Sequence, residues 1–152
     1  MQEIALTNER IDEKTLEQEL HKWLGSFTKP LRKVLLLPPD VTRFHSKAGL
    51  IVQLLYKALQ GEAKVEIMPA LGTHIPMSGQ ERALMFGTEI PDECFLVHDW
   101  RNDVVKIGEV PADFVAAVSG GLVSYPIGVE VNRRIMDPSY DLIVSIGQVV
   151  PH

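Results

Sequence analysis

The chain has 152 residues, 45% of them hydrophobic and 23% charged, which is the composition of one folded domain with a sizeable core. Its net charge of −5 argues against nucleic-acid binding, and its apolar stretches are shorter than the roughly 20 residues that span a bilayer. Cys94 is the single cysteine, which excludes an intrachain disulfide, and the polar start lacks a signal-peptide pattern. We therefore expect residues 1–152 to form one cytoplasmic domain that binds neither nucleic acid nor membranes.

The first hundred residues alternate between predicted helices and predicted strands. In chain order these elements are a helix over 12–24, a strand over 34–37, a helix over 47–59, a strand over 64–70, a helix over 78–87 and a strand over 94–97. The strand over 34–37 is apolar on successive residues, as expected for a parallel strand buried on both faces. Ser78 and Glu81 have the spacing of a capping box at the start of a helix. This pattern predicts a βαβ unit and a parallel sheet.

The periodicity changes after residue 100. The predicted elements there are a strand over 104–110, a short helix over 112–118, strands over 122–125 and 129–135, and a last buried strand over 141–146. Glycine and proline punctuate the joints between these segments. The expected fold class is α/β, with an open, mainly parallel sheet, flanking helices, a Rossmann-like βαβ start and a β-rich insertion in the second half.

Three motifs follow predicted strands directly. Asp40 and Arg43 come after the first strand, His74 after the second, and His152 after the last. Because the carboxyl ends of parallel strands meet at one edge of a sheet, these four side chains are expected to converge. Gly72 and Thr73 are small residues that allow a sharp turn before His74. Two imidazoles at one edge suit general acid–base chemistry at neutral pH.

The Asp40 motif has two functional interpretations and one structural alternative. A guanidinium such as that of Arg43 binds phosphate or carboxylate groups in bidentate fashion. A carboxylate such as that of Asp40 can orient a neighbouring imidazole and stabilise its cation. The alternative is a local ion pair between Asp40 and Arg43, with Thr42 capping the next helix. His74 has a structural alternative too, as a hydrogen-bonded turn residue.

These motifs also carry a resemblance to a known family. Asp40-Val41-Thr42-Arg43, Gly72-Thr73-His74-x-Pro76 and Gly147-x-x-x-Pro151-His152 resemble, in this order, the N-terminal part of the nickel-dependent lactate racemases. His98-Asp99 and Val131-Asn132-Arg133 support the resemblance, which covers roughly residues 30 to 152. It implies racemisation or epimerisation of a 2-hydroxy acid or sugar acid by hydride transfer to a nickel-pincer nucleotide.

The resemblance also implies roles for particular residues. His74 and His152 match the two acid–base histidines of the family. Substrate or cofactor binding is implied for the residues Asp40, Thr42, Arg43, Gly72 and Thr73. For His98 and Asp99 it implies a structural or supporting role only. Ile75 stands where the family often has arginine, which leaves a larger or less acidic substrate than lactate open.

The family pattern continues beyond the last motif of this chain. It includes a lysine that bonds to the cofactor, a histidine that ligates nickel, and a second α/β domain that closes over the substrate. We therefore expect the 152 residues to be the N-terminal portion of a longer enzyme, with its C-terminal domain as a partner. Alone, the chain is expected to hold no metal or cofactor and to show no turnover.

Two alternatives from other functional classes remain open at this stage. One is a non-catalytic α/β module in which Arg43 and the following helix N-terminus bind a phosphorylated or carboxylated metabolite. The other is a metal-dependent hydrolase that uses Asp40 and His74. The sequence has no His-x-x-x-His or Glu-x-x-His pair, so a metal site built from its histidines alone is not expected.

Overall fold

The computed structural model describes residues 11–148, which form a small parallel sheet with helices on it and a separate antiparallel hairpin. The helices of this range are α1 Glu13–Leu24, α2 Ala48–Leu59, α3 Gly79–Phe86 and α4 Ala112–Val118. The strands are β1 Lys33–Leu37, β2 Lys64–Ile67, β3 Val104–Val110, β4 Ile127–Asn132 and β5 Leu142–Ser145. This confirms the predicted α/β class, with a mainly parallel sheet and a β-rich second half.

The parallel sheet has the strand order β2-β1-β5, so the first strand of the chain is central. Val34, Leu35 and Leu36 in this strand are fully buried, as its unbroken apolar run predicts. Leu36 pairs with Ile67 on one side and with Val144 on the other. Because all three strands run in one direction, their carboxyl ends lie along one edge of the sheet.

The main core lies between one face of this sheet and the helices. Val34 and Leu36 on that face belong to one buried cluster with Val52, Leu55 and Phe86. The opposite face has a smaller core, formed by Leu35, Met68 and Tyr140. No helix within residues 11–148 is long and apolar enough to cross a bilayer.

The hairpin β3–β4 forms its own antiparallel sheet, with a register irregularity between Lys106 and Gly108. Helix α4 lies in the connection between its two strands. The hairpin and this connection leave large apolar side chains exposed: Ile107, Phe114, Val118, Leu122, Tyr125 and Ile127. The base of the hairpin approaches the carboxyl edge of the parallel sheet, where Val104 and Asn132 line a cleft together with Met68 and Ala70.

Most predicted elements are confirmed, including the capping box of Ser78 and Glu81 at the start of α3. The predicted strand over 94–97 is wrong: Asp92–Cys94 is a 3-10 turn, and Phe95 forms only an isolated bridge with Ile67. The predicted strand over 122–125 is also wrong. The chain there follows two glycines with positive φ, and no strand of the described range pairs with it.

Three predicted strands end earlier than expected, and the last of them, predicted over 141–146, is β5 Leu142–Ser145. β2 ends at Ile67 because Pro38, the residue after β1 that would donate to it next, has no N–H, although an isolated bridge continues the pairing at Ala70. The strand predicted over 129–135 is β4, which ends at Asn132 because the Asn132 side chain caps the 3-10 turn Arg133–Met136. The side chain accepts a hydrogen bond from the backbone N–H of Arg134.

Candidate acid–base site

The pairing of β1 with β2 continues past both strands and brings the first two motifs together. Pro39 bridges Ala70 in parallel, and the Ala70 N–H donates to the Pro38 carbonyl at 2.7 Å. This is the same register as inside the strands, where Leu36 pairs with Ile67. Asp40 therefore leaves the sheet beside the turn that carries His74.

A tight turn presents His74 at this edge. The His74 N–H donates to the Leu71 carbonyl at 3.0 Å, which closes the turn. Gly72 has a φ of +57°, a conformation that costs a residue with a side chain about 1–2 kcal/mol. The sharp turn predicted at Gly72 is thus confirmed, and its predicted part in binding stays a prediction. The turn leaves 60% of the His74 side chain exposed to solvent.

Asp40 and His74 form a hydrogen-bonded pair. Asp40 Oδ2 lies 2.6 Å from His74 Nδ1, and Asp40 is only 6% exposed. The other carboxylate oxygen accepts hydrogen bonds from the backbone N–H and the hydroxyl of Thr42. Because an ionised carboxylate can only accept, the proton of neutral His74 resides on Nδ1 and leaves Nε2 as a free base. The buried carboxylate thus sets the tautomer of an exposed imidazole.

Opposing effects act on the pKa of Asp40. Burial raises it, but hydrogen bonds from Thr42 and His74 outweigh burial, so the pKa lies below its ordinary value. Asp40 is therefore ionised at neutral pH. An ionised carboxylate at Nδ1 stabilises the cation that forms when Nε2 of His74 takes up a proton.

The structure contradicts two details of the structural alternative. Asp40 does not pair with Arg43; its carboxylate contacts Thr42 and His74. The residue that caps the following 3-10 helix, Val41–Ser46, is Asp40 and not Thr42, because the Asp40 carboxylate accepts from the Thr42 N–H. The Arg43 backbone N–H donates to the Asp40 carbonyl at 3.0 Å, but the exposed Arg43 guanidinium has no ion pair or hydrogen bond within residues 11–148. It is a free guanidinium three residues from the buried carboxylate.

His152 lies outside the described residues, so its predicted part in this site stays a prediction. The strand that precedes it, β5, is in the expected place. The Ile146 N–H donates to the Leu37 carbonyl at 3.0 Å, so the carboxyl ends of β5 and β1 are neighbours. Among residues 11–148, no group of three or more His, Cys, Asp or Glu side chains is arranged to hold a metal ion.

A cleft of about 460 Å³ opens at this edge of the sheet, between the strand ends and the base of the hairpin. Gly72 and Thr73, which directly precede His74, form part of its wall. Most of its other lining residues are apolar: Leu37, Met68, Pro69, Ala70, Trp100, Val104, Val131 and Ile135. Its remaining polar side chains are His98, Glu130 and Asn132.

Sequence reasoning did not assign Glu130 or Asn132 to this cleft. Asn132 is 3% exposed, and its Nδ2 lies 3.1 Å from Nδ1 of the half-buried His98. The one available signal was that His98-Asp99 and Val131-Asn132-Arg133 both occur beside predicted strands. Asp99 does not join the pair: its carboxylate accepts from Arg101 and Asn102 and shapes the exposed turn after His98.

The fold and the site together define the class of protein. The chain is an α/β protein with a buried Asp and an exposed His at the carboxyl edge of its parallel sheet, which form a candidate acid–base site beside a cleft.

Residues 2–152 match the lactate racemase N-terminal domain, so the chain belongs to this family. The fold is similar to that in a crystal structure of a protein from Thermotoga maritima, with a TM-score of 0.80 and 26% sequence identity. The alignment covers 93% of this chain and 34% of that protein, so the chain spans about a third of its relative. A comparison with curated proteins gave no match.

Proposed function

We propose that this chain is the N-terminal part of a racemase or epimerase of 2-hydroxy acids in which His74 transfers protons. The observation that carries the proposal is the 2.6 Å contact between Asp40 Oδ2 and His74 Nδ1. A turn histidine with a purely structural role needs no buried carboxylate behind it and no exposed second nitrogen. Family membership supports the same class of reaction.

In this proposal His74 acts on the hydroxyl group of the substrate. Nε2 takes the hydroxyl proton as the α-carbon is oxidised to the ketone, and returns a proton to oxygen when the α-carbon is reduced again. Asp40 keeps the ring in the productive tautomer and stabilises its cation. A second acid–base group is needed for the opposite enantiomer, and His152 is our candidate for it.

The nickel-pincer nucleotide implied by the resemblance supplies a hydride acceptor when it is bound. The described residues fit such an anionic group, because Arg43 is an exposed guanidinium without a partner in this range. Arg43 would bind a phosphate or carboxylate of the nucleotide or of the substrate. Gly72 and Thr73 would form the adjacent wall, since they already line the cleft.

The proposal is tested with the full-length protein, loaded with the nucleotide and incubated with single enantiomers of a panel of 2-hydroxy acids. Chiral chromatography should show racemisation or epimerisation of at least one acid. No inversion of any acid, combined with binding of inorganic phosphate that Arg43→Ala abolishes, would support the non-catalytic anion-binding module instead. The proposed cytoplasmic location can be checked by fractionation of cells.

A further inference from the structure

His98 and Asn132 form a second polar pair in the cleft, on the wall opposite the strand ends. The residues are 34 positions apart and meet because the hairpin folds back over the loop after Phe95. His98 is half-buried and Asn132 is 3% exposed, so water has little access to the contact between them. The roles of donor and acceptor in this contact follow from the other partners of Asn132.

The amide of Asn132 has only one favourable orientation. Its Oδ1 accepts from the Arg134 backbone N–H at 3.0 Å. Its Nδ2 faces Asp103 Oδ2 at 3.3 Å, and the Asp103 carboxylate also pairs with the Arg133 guanidinium at 2.6 Å. A flipped amide would place its oxygen against a carboxylate and its NH₂ group against a backbone N–H. The group that faces His98 is therefore the NH₂ donor.

Asn132 thus sets a tautomer for His98 that is the reverse of that of His74. Because Nδ2 of Asn132 donates, Nδ1 of neutral His98 accepts, and the ring proton resides on Nε2. At His74, the Asp40 carboxylate holds the proton on Nδ1 and leaves Nε2 as a base. The same ring position is a base in one histidine and a donor in the other.

The walls of the cleft indicate which ligand group this donor would meet. None of the described lining residues is a lysine or an arginine, whereas Glu130 contributes a carboxylate. A second negative charge there would be repelled and partly desolvated, so this part of the cleft favours an uncharged oxygen. A volume of about 460 Å³ is in the range of small-molecule sites and leaves room for more than a three-carbon acid.

We propose that His98 binds the substrate as a neutral donor, from Nε2–H to an uncharged hydroxyl or carbonyl oxygen in the substrate's tail. Asn132 is the positioning residue for this donor. The inference rests on the proposed function, because it places the reacting carbon at His74 and the tail in the cleft beside Gly72 and Thr73. It makes His98 a determinant of substrate specificity and gives it no part in proton transfer.

The first test reads the tautomers directly in the 152-residue chain, by long-range ¹H–¹⁵N correlation of the imidazole nitrogens. We expect the Nε2–H form for His98 and the Nδ1–H form for His74. The double variant Asn132→Asp/Asp103→Asn places an acceptor at Nδ1 of His98 and keeps a donor at residue 103 beside it, so it should convert His98 alone to the Nδ1–H form. An Nδ1–H tautomer of His98 in the parent chain would overturn the inference.

The second test uses the loaded full-length enzyme and a matched pair of substrates, 2-hydroxybutanoate and 2,4-dihydroxybutanoate. Loss of one hydrogen bond, worth about 0.5–1.5 kcal/mol, should make His98→Leu raise KM for the dihydroxy acid about 2- to 12-fold, with kcat almost unchanged. KM for the monohydroxy acid should stay at the parent value. His98→Gln, whose amide N–H lies near the position of Nε2, should restore most of the loss.

The two proposals fail in different ways. A parent enzyme that inverts no 2-hydroxy acid contradicts the proposed function. A parent enzyme that is active, with a His98→Leu variant whose KM for the dihydroxy acid is unchanged, contradicts the role of His98 alone. The substrate pair separates binding from folding, because a variant that merely unfolds loses activity towards both acids.

Discussion

At the scale of single residues, the site depends on the difference in burial between Asp40 and His74. A carboxylate that is 6% exposed lies behind an imidazole whose side chain is 60% exposed. The buried member is held by Thr42 and fixes the ring, while the exposed member can meet a substrate. This is the division of roles that acid–base histidines require.

Asp40→Asn should therefore disable His74 without unfolding the domain. The new amide donates towards Nδ1 of His74, so the ring proton moves to Nε2 and the base is lost. We expect turnover by the full-length enzyme to fall by about 10²- to 10⁴-fold. Imidazole ¹⁵N shifts report the change of tautomer. Asp12→Asn is the isosteric control, since asparagine also caps helices well, and it should leave turnover unchanged.

The sequence was sufficient to predict that Asp40 and His74 converge, because parallel strands end at one edge. It was not sufficient to predict their direct contact, which depends on the register between β1 and β2 and on the turn at Gly72. The pair of His98 and Asn132 was not predictable. It depends on how a hairpin with its own sheet folds over the parallel sheet, and local periodicity carries no information on that.

At the scale of elements, α2 and α3 pack closely because residue 49 has no side chain. A Cβ on Gly49 would lie 2.0 Å from the carbonyl oxygen of Met85. Local signals were sufficient to predict both helices: the spacing of apolar residues, and for α3 the capping box of Ser78 and Glu81. The close approach of the two helices is a tertiary contact, and a glycine inside a predicted helix is only a weak indication of such a contact.

Gly49→Ala should accordingly destabilise the domain, although alanine is the better helix former. We expect the free energy of unfolding in urea to fall by about 1–3 kcal/mol, the usual cost of overpacking, or by more. Gly79→Ala is the matched control: it is also helical, its Cβ would meet only the end of the Arg82 side chain at 3.9 Å, and it should be neutral or slightly stabilising. Equal effects of both substitutions would contradict the packing argument.

At the scale of the whole molecule, two buried carboxylates link stability to pH. Burial raises the pKa of Glu66 and of Asp40, but hydrogen bonds and nearby charges outweigh it, so both values are lowered. Glu66 pairs with Lys64 at 2.7 Å and accepts from the Tyr140 hydroxyl. Burial and this hydrogen bond raise the pKa of Tyr140 to about 12, so the phenol stays protonated as the donor.

These shifts predict the direction of acid unfolding. A carboxylate whose pKa is lowered in the folded state contributes stability that is fully present above its unfolded value of about 4. That contribution is lost as the pH falls through the folded value. The free energy of unfolding should therefore decline below about pH 4, and the double variant Asp40→Asn/Glu66→Gln should decline less steeply. The free energy of unfolding is measured by urea titration at each pH. If it falls equally steeply with pH in the parent and the variant, this account is contradicted.

The central claim, that His74 transfers the hydroxyl proton, is tested most directly by following each pure enantiomer separately in the loaded full-length enzyme. His74→Ala should abolish steady-state racemisation in both directions, because each full cycle needs one acid–base group for each enantiomer. In single turnovers, oxidation of one enantiomer should slow about 10²- to 10⁴-fold, and oxidation of the other should slow much less. His45→Ala, an exposed neighbour outside the pair, should behave like the parent. Racemisation by a folded His74→Ala variant at close to the parent rate would contradict the claim.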